Sequence, residues 1–146
     1  MNIFAELAAG VVASTESDTR SLAAKIAAAL PADRTLALSG DLGAGKTTFV
    51  KGLATAWGVT GSVTSPSYTL CNLHRGTRLL VHVDAYRLTR ATDWDALMIE
   101  DFLATPWCLA VEWPERVHDR IASEALWLRF EMNADGSRTI RSTGAL

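Results

Sequence analysis

The chain has little of what small proteins use as staples or anchors. Its 146 residues include two cysteines, Cys71 and Cys108, far apart and without CxxC or Cys/His ligand spacing. That excludes a disulfide framework and a zinc site, and it fits a reduced, intracellular compartment. The N-terminal stretch MNIFAELAAGVVAST lacks a basic leader region, carries Glu6 and offers only a short apolar run. Neither a signal peptide nor a membrane span is expected, and the expected location is the cytoplasm. An excess of charge of one sign is missing too, since 14 basic and 16 acidic side chains leave a formal net charge of −2. A broad face for nucleic acid shows as excess, clustered Lys and Arg, so any polyanion must be met locally.

What is present is core-forming material. Hydrophobic residues make up 49% of the chain and charged residues 21%, with four prolines. This composition excludes disordered, collagen-like and coiled-coil chains. A chain of this length buries roughly 70% of its unfolded surface without help from disulfides or metals. With no internal repeat, low-complexity tract or usable linker, residues 1–146 read as one domain.

The apolar spacing predicts an alternation of elements. Thr15 with Asp18 resembles a capping arrangement for a helix over 15–30, where Leu22, Ile26, Ala29 and Leu30 recur at helical spacing before Pro31. Thr35 to Ser39 is a short strand running into Gly40. Val50, Leu53, Ala54 and Trp57 mark one face of a second helix that Gly58 ends. Strands are expected over Val63 to Leu73 and Arg78 to Val83, around a turn at His74 to Thr77. A helix from about Thr92 to Leu103 would bury Trp94, Leu97, Met98 and Phe102. Trp107 to Val111 is another buried strand, and Leu126 to Met132 pairs through NADGS with Arg138 to Ser142 as a terminal hairpin. The predicted fold is α/β, with a mainly parallel sheet, antiparallel edge strands and flanking helices. Trp57, Trp94, Trp107 and Trp127 fall on faces expected to be buried. His74, Arg75 and Arg78 are expected at the surface.

Between the first predicted strand and the helix after it, residues 40–48 read GDLGAGKTT, which satisfies GxxxxGK[ST] in full in the strand, loop, helix context that the motif requires. Glycines let the backbone take positive φ and close on phosphate oxygens, so successive N–H groups form an anion-binding concavity. The positive end of the following helix adds to it. Lys46 would reach the β- and γ-phosphates, and the Thr47 hydroxyl would ligate Mg²⁺. Lys46 is one of three lysines in a chain with eleven arginines, so its identity here does not follow from abundance. No [NT]KxD guanine signature occurs, which favours ATP. A second acidic group should end an apolar strand, and Asp84 after LLVHV and Glu112 after LAV both qualify. His82 would support Asp84 or sit as a packed strand histidine. Trp113 would stand beside the nucleotide, at a partner surface, or in ordinary packing.

These residues together resemble the bacterial TsaE family, P-loop ATPases of tRNA threonylcarbamoyladenosine (t6A) biosynthesis. The resemblance rests on GDLGAGKTTF at 40–49, VTSPSYTL at 63–70, HVDAYRL at 82–88 and VEWPER at 111–116, and it spans essentially the whole chain. It implies that Gly43, Ala44, Gly45, Lys46, Thr47 and Thr48 form the ATP phosphate cradle, and that Thr47 and Glu112 hold Mg²⁺. It also implies that Asp84 serves hydrolysis and that Ser65, in the stretch Ser65-Pro66-Ser67-Tyr68, belongs to a switch-like loop near the γ-phosphate. Ser67 stands where the family more often has Thr. Thr19 matches a region near the base. The role implied is a slow ATPase that joins TsaD and TsaB and sustains threonylcarbamoyl transfer to adenosine 37 of tRNA, without performing the transfer. Such a protein would reach tRNA mainly through its partners. A P-loop small-molecule kinase and a nucleotide-dependent interaction module without turnover are the alternatives.

Overall fold

The computed structural model describes residues 2–41, 43–60 and 70–144. A seven-stranded sheet runs through it: β1 (Val11–Ala13), β2 (Arg34–Gly40), β3 (Cys71–Arg75), β4 (Leu79–Asp84), β5 (Trp107–Glu112), β6 (Leu126–Met132) and β7 (Arg138–Ser142). Their spatial order is β1-β7-β6-β2-β5-β4-β3. The four central strands β6, β2, β5 and β4 are parallel, while β7, β1 and β3 add antiparallel edges. Helices α1 (Ile3–Ala9), α2 (Glu16–Ala29) and α3 (Lys46–Ala56) complete one layer, and a shorter α4 (Ala91–Asp95) lies further along the chain.

Alternation along the strands splits the apolar residues into two clusters. Leu36, Leu38, Leu80, Ala110, Leu128 and Phe130 pack with Leu22, Ile26, Phe49 and Leu53 of α2 and α3. Val81, Val83, Leu109 and Val111 pack with Trp94, Ile99 and Val117 on the other side. Residues two apart on a strand share a face, so a strand covered on both sides reads as the continuous apolar run seen in LLVHV. The start of α2 is fixed by a full capping box: Thr15 accepts from the Asp18 amide, and the Asp18 carboxylate accepts from the Thr15 amide.

Two glycines set close approaches. A Cβ on Gly52 would lie 2.7 Å from that of Ala23, so glycine lets α3 press on α2. Gly40 has φ +131°, and a Cβ there would lie 2.2 Å from the Phe130 carbonyl oxygen, so only glycine carries β2 past β6 into the loop.

The structure corrects several expectations. The helix predicted over 92–103 is interrupted: α4 ends at Asp95, Met98 adopts left-handed φ +51°, and a 3-10 turn covers Ile99–Phe102. Met98 and Phe102 are therefore 58% and 41% exposed rather than buried. Helical spacing cannot detect a change of turn type partway along. Trp107 and Trp127 are half-buried, whereas Trp57 and Trp94 are in the core. Arg78 is buried, donating to the carbonyls of Leu30, Pro31 and Trp107, because the turn folds back onto the end of α2. His74 is half-buried rather than solvated. The turn between β3 and β4 falls at 76–78, since His74 and Arg75 are still paired with Leu80 and Leu79. Helix α1 and strand β1, absent from the sequence reading, are short and derive their stability from docking on β7 and α2.

Candidate functional site

The site gathers at the C-terminal ends of the parallel strands. Strand β2 delivers the chain into the glycine-rich loop, whose Gly43 and Gly45 take φ of +82° and +100°. Gly45 is the N-cap of α3, and Lys46 and Thr47 open that helix, so its free amides face the loop. Asp84 ends β4 and Glu112 ends β5. Parallel register sets these two residues opposite each other, with Glu112 also opposite Leu38 of β2. The binding side of an open α/β sheet lies at the carboxyl ends of its strands, and all three contributors are there.

A cavity of about 290 Å³ joins them. It is lined by Gly43, Gly45, Lys46, Thr47, Thr48, Asp84, Glu112 and Trp113, together with Glu16 and Arg138. Eight of the residues singled out from sequence thus share one concave surface. Ala44 lies behind it, fully buried in the core. Thr19 is also buried, its hydroxyl donating to the Thr15 carbonyl, and it does not line the cavity. Ser65 and the rest of the 65–68 stretch lie outside the described residues.

Lys46 is only 4% exposed. Its Nζ donates to the Gly40 carbonyl at 2.6 Å and sits 3.8 Å above the Trp113 ring. Burial lowers its pKa from the ordinary value of 10.5, opposed by the negative charges of Glu112, Glu115, Asp84 and Asp41. The lysine is therefore a cation whose desolvation outweighs the carboxylates around it, and a further anion in the cavity would stabilise it. Trp113 itself has left-handed φ +58° and packs on Tyr86 at 5.1 Å, while Arg116 lies 5.1 Å over the Tyr86 ring.

The two carboxylates differ in their surroundings. Glu112 is 6% exposed, and its Oε2 accepts from Nε2 of the fully buried His82 at 2.5 Å. His82 therefore orients Glu112 rather than Asp84, because Glu112 is the carboxylate within its reach. Asp84 is more open and accepts from the Tyr86 amide at 2.9 Å, capping the turn that follows β4 while also lining the cavity. Sequence reasoning missed Glu16 and Arg138. Neither belongs to a local motif, and only the packing of α2 and the sheet order bring them to the loop.

The donor set suits a hard cation. Thr47, Asp84 and Glu112 present only oxygen, the chemistry that Mg²⁺ selects. Among the described residues no cluster of three or more His, Cys, Asp and Glu could hold a metal.

Comparison with known proteins places this arrangement in a family. Residues 13–140 match the model for threonylcarbamoyl adenosine biosynthesis protein TsaE. A tRNA threonylcarbamoyladenosine biosynthesis protein TsaE from Aquifex aeolicus is 42% identical over 114 residues, covering 76% of this chain and 80% of its own. The Bacillus subtilis protein of that name is 35% identical over 127 residues, covering 86% and 79%. The crystal structure of Bacillus subtilis YdiB superposes with a TM-score of 0.74 at 30% identity, covering 94% of this chain and 85% of the other. The sheet is thus of the P-loop NTPase-like kind, and the chain belongs to the TsaE family of tRNA threonylcarbamoyladenosine biosynthesis proteins.

Proposed function

We propose that this chain is the ATP-binding, slowly hydrolysing subunit of the t6A machinery, acting with TsaD and TsaB to sustain threonylcarbamoyl transfer to adenosine 37. The observation that carries the reading is the single cavity in which the phosphate loop, Lys46, Thr47 and the strand-end carboxylates Asp84 and Glu112 meet. Lys46 would leave the Gly40 carbonyl and the Trp113 face to neutralise the β- and γ-phosphates, an exchange favoured by its burial. The amides at the start of α3 would take phosphate oxygens.

Thr47 and Glu112 are the residues that would hold Mg²⁺. Bound there, the ion would neutralise charge on the β- and γ-phosphate oxygens. His82 keeps the Glu112 carboxylate in one orientation for that task. Asp84, on the adjacent strand and more open, is suited to orient the attacking water. The near-neutral chain supports contact with tRNA through partners, because phosphate-backbone binding scales with the number of Lys and Arg contacts.

The test is ATP hydrolysis by the purified chain, alone and with the cognate TsaD–TsaB pair. Stimulation by the pair is expected, and no stimulation would remove the proposed role. Transfer of phosphate to a hydroxyl acceptor without net hydrolysis would replace the ATPase reading with a kinase.

A further inference from the structure

A second cavity, of about 180 Å³, lies on the face of the sheet away from α2 and α3 and shares no residue with the cavity at the phosphate loop. Its floor is Thr35 of β2 with Trp107 and Leu109 of β5, the parallel register setting Thr35 opposite Leu109. Trp94 of α4 forms a wall with Ile99 and Leu103, in and just after the 3-10 turn that follows. The apolar side chains among these belong to the cluster on that face or pack against it. Thr35 stands near the start of β2 and Gly40 at its end, so about 17 Å of strand lies between this floor and the phosphate loop.

The interior holds an unused polar group. Thr35 is 4% exposed, yet its hydroxyl makes no hydrogen bond among the described residues. Burying a hydroxyl unpaired is unfavourable, and a donor or acceptor inside the cavity would offset that cost. The mouth carries net negative charge. Glu100 lines it, exposed and in none of the ion pairs among the described residues. Arg120, also at the mouth, is already held by Asp95 through bonds of 2.7 and 2.9 Å, with the charge of Asp119 beside it. Its cation is spent, whereas the Glu100 carboxylate is not. Trp94 and Trp107 add two indoles, the ring type that attracts cations most strongly.

We infer that this cavity is a binding site for a small hydroxylated organic amine, its apolar body between Trp94 and Trp107, its hydroxyl on Thr35 and its ammonium at Glu100. The size fits, because an apolar cavity of about 150 Å³ accepts a benzene ring, and the extra space here admits a short substituent. A carboxylate of the same shape meets like charge at the mouth and is rejected.

The test titrates para-hydroxybenzylamine into the isotope-labelled chain and follows the tryptophan indole resonances by NMR, with para-hydroxybenzoate as the probe of opposite charge. Trp94 and Trp107 are expected to shift while Trp113 stays in place, with a dissociation constant of about 1 mM or lower. The benzoate should bind at least about tenfold more weakly. Glu100→Gln removes an exposed charge and is expected to weaken the amine about fivefold to tenfold at low salt, and less at high salt. Thr35→Val keeps the branched shape without the hydroxyl and should weaken it about threefold or more. Ala122→Trp puts bulk at an exposed position of the mouth and should abolish the shifts. The remaining resonances of each variant report that it is folded. Absence of shifts at Trp94 and Trp107, a response at Trp113 instead, equal binding of amine and benzoate, or an unchanged constant in any folded variant would overturn the assignment.

Discussion

Nε2 of His82 lies 2.5 Å from Oε2 of Glu112, with both side chains withdrawn from solvent. The pair spans two neighbouring parallel strands, His82 two residues before the end of β4 and Glu112 at the end of β5. An imidazole N–H fixed on a buried carboxylate holds one rotamer and leaves the carboxylate's remaining lone pairs free for the cavity. Removing the donor leaves a buried carboxylate under-satisfied.

His82→Phe is therefore expected to lower folding stability by about 1–3 kcal/mol, measured by urea denaturation. It should also weaken Mg²⁺-dependent nucleotide binding more than binding measured in chelator. An equal loss in both conditions would mean that His82 serves the fold and not the orientation of Glu112.

For Lys46 the prediction separates stability from function. Burial lowers its pKa, so between that lowered value and 10.5 the unfolded chain holds a proton that the folded chain has released. The group's contribution to stability therefore increases as pH rises through that window, the reverse of a lysine whose pKa is raised by a carboxylate partner. Lys46→Met keeps the apolar stem and removes the desolvated charge. The free variant is expected to melt at the same temperature as the unaltered chain or higher, while the thermal stabilisation given by Mg-ATP disappears. An unchanged ATP-induced shift would refute the phosphate-loop assignment.

Trp113 should report the same event optically. With Lys46 Nζ 3.8 Å from its ring, movement of the ammonium to phosphate changes the indole's surroundings. Tryptophan fluorescence is expected to respond to ATP and to lose most of that response in Trp113→Phe. The four other tryptophans provide the unchanged background. A full response in the variant would place the reporter elsewhere.

Arg78 supplies the structural counterpart. Its guanidinium ties the end of α2 to the start of β5 through three carbonyls and stacks 5.0 Å from Trp57. Arg78→Leu should cost about 2–4 kcal/mol in urea unfolding through orphaned carbonyls and lost packing, with nucleotide affinity unaffected. A surface-like change below about 0.5 kcal/mol would contradict the buried role.

The boundary between what was legible in sequence and what was not follows the range of the interactions. The phosphate loop was legible because its chemistry needs particular residues at fixed spacing along eight consecutive positions. The capping box of α2, the core faces of α2 and α3, and the ends of β4 and β5 could be read for the same reason: periodicity and caps act within a few residues. Asp84 and Glu112 could each be recognised as a strand-end carboxylate. That they face each other was decided by the parallel register of β4 on β5. His82 on Glu112, Lys46 on Trp113, Arg78 under α2 and Arg138 across the loop are contacts between elements distant in the chain. No local pattern encodes which strand lies beside which, so only the sheet order and the packing of the helices against it decided them.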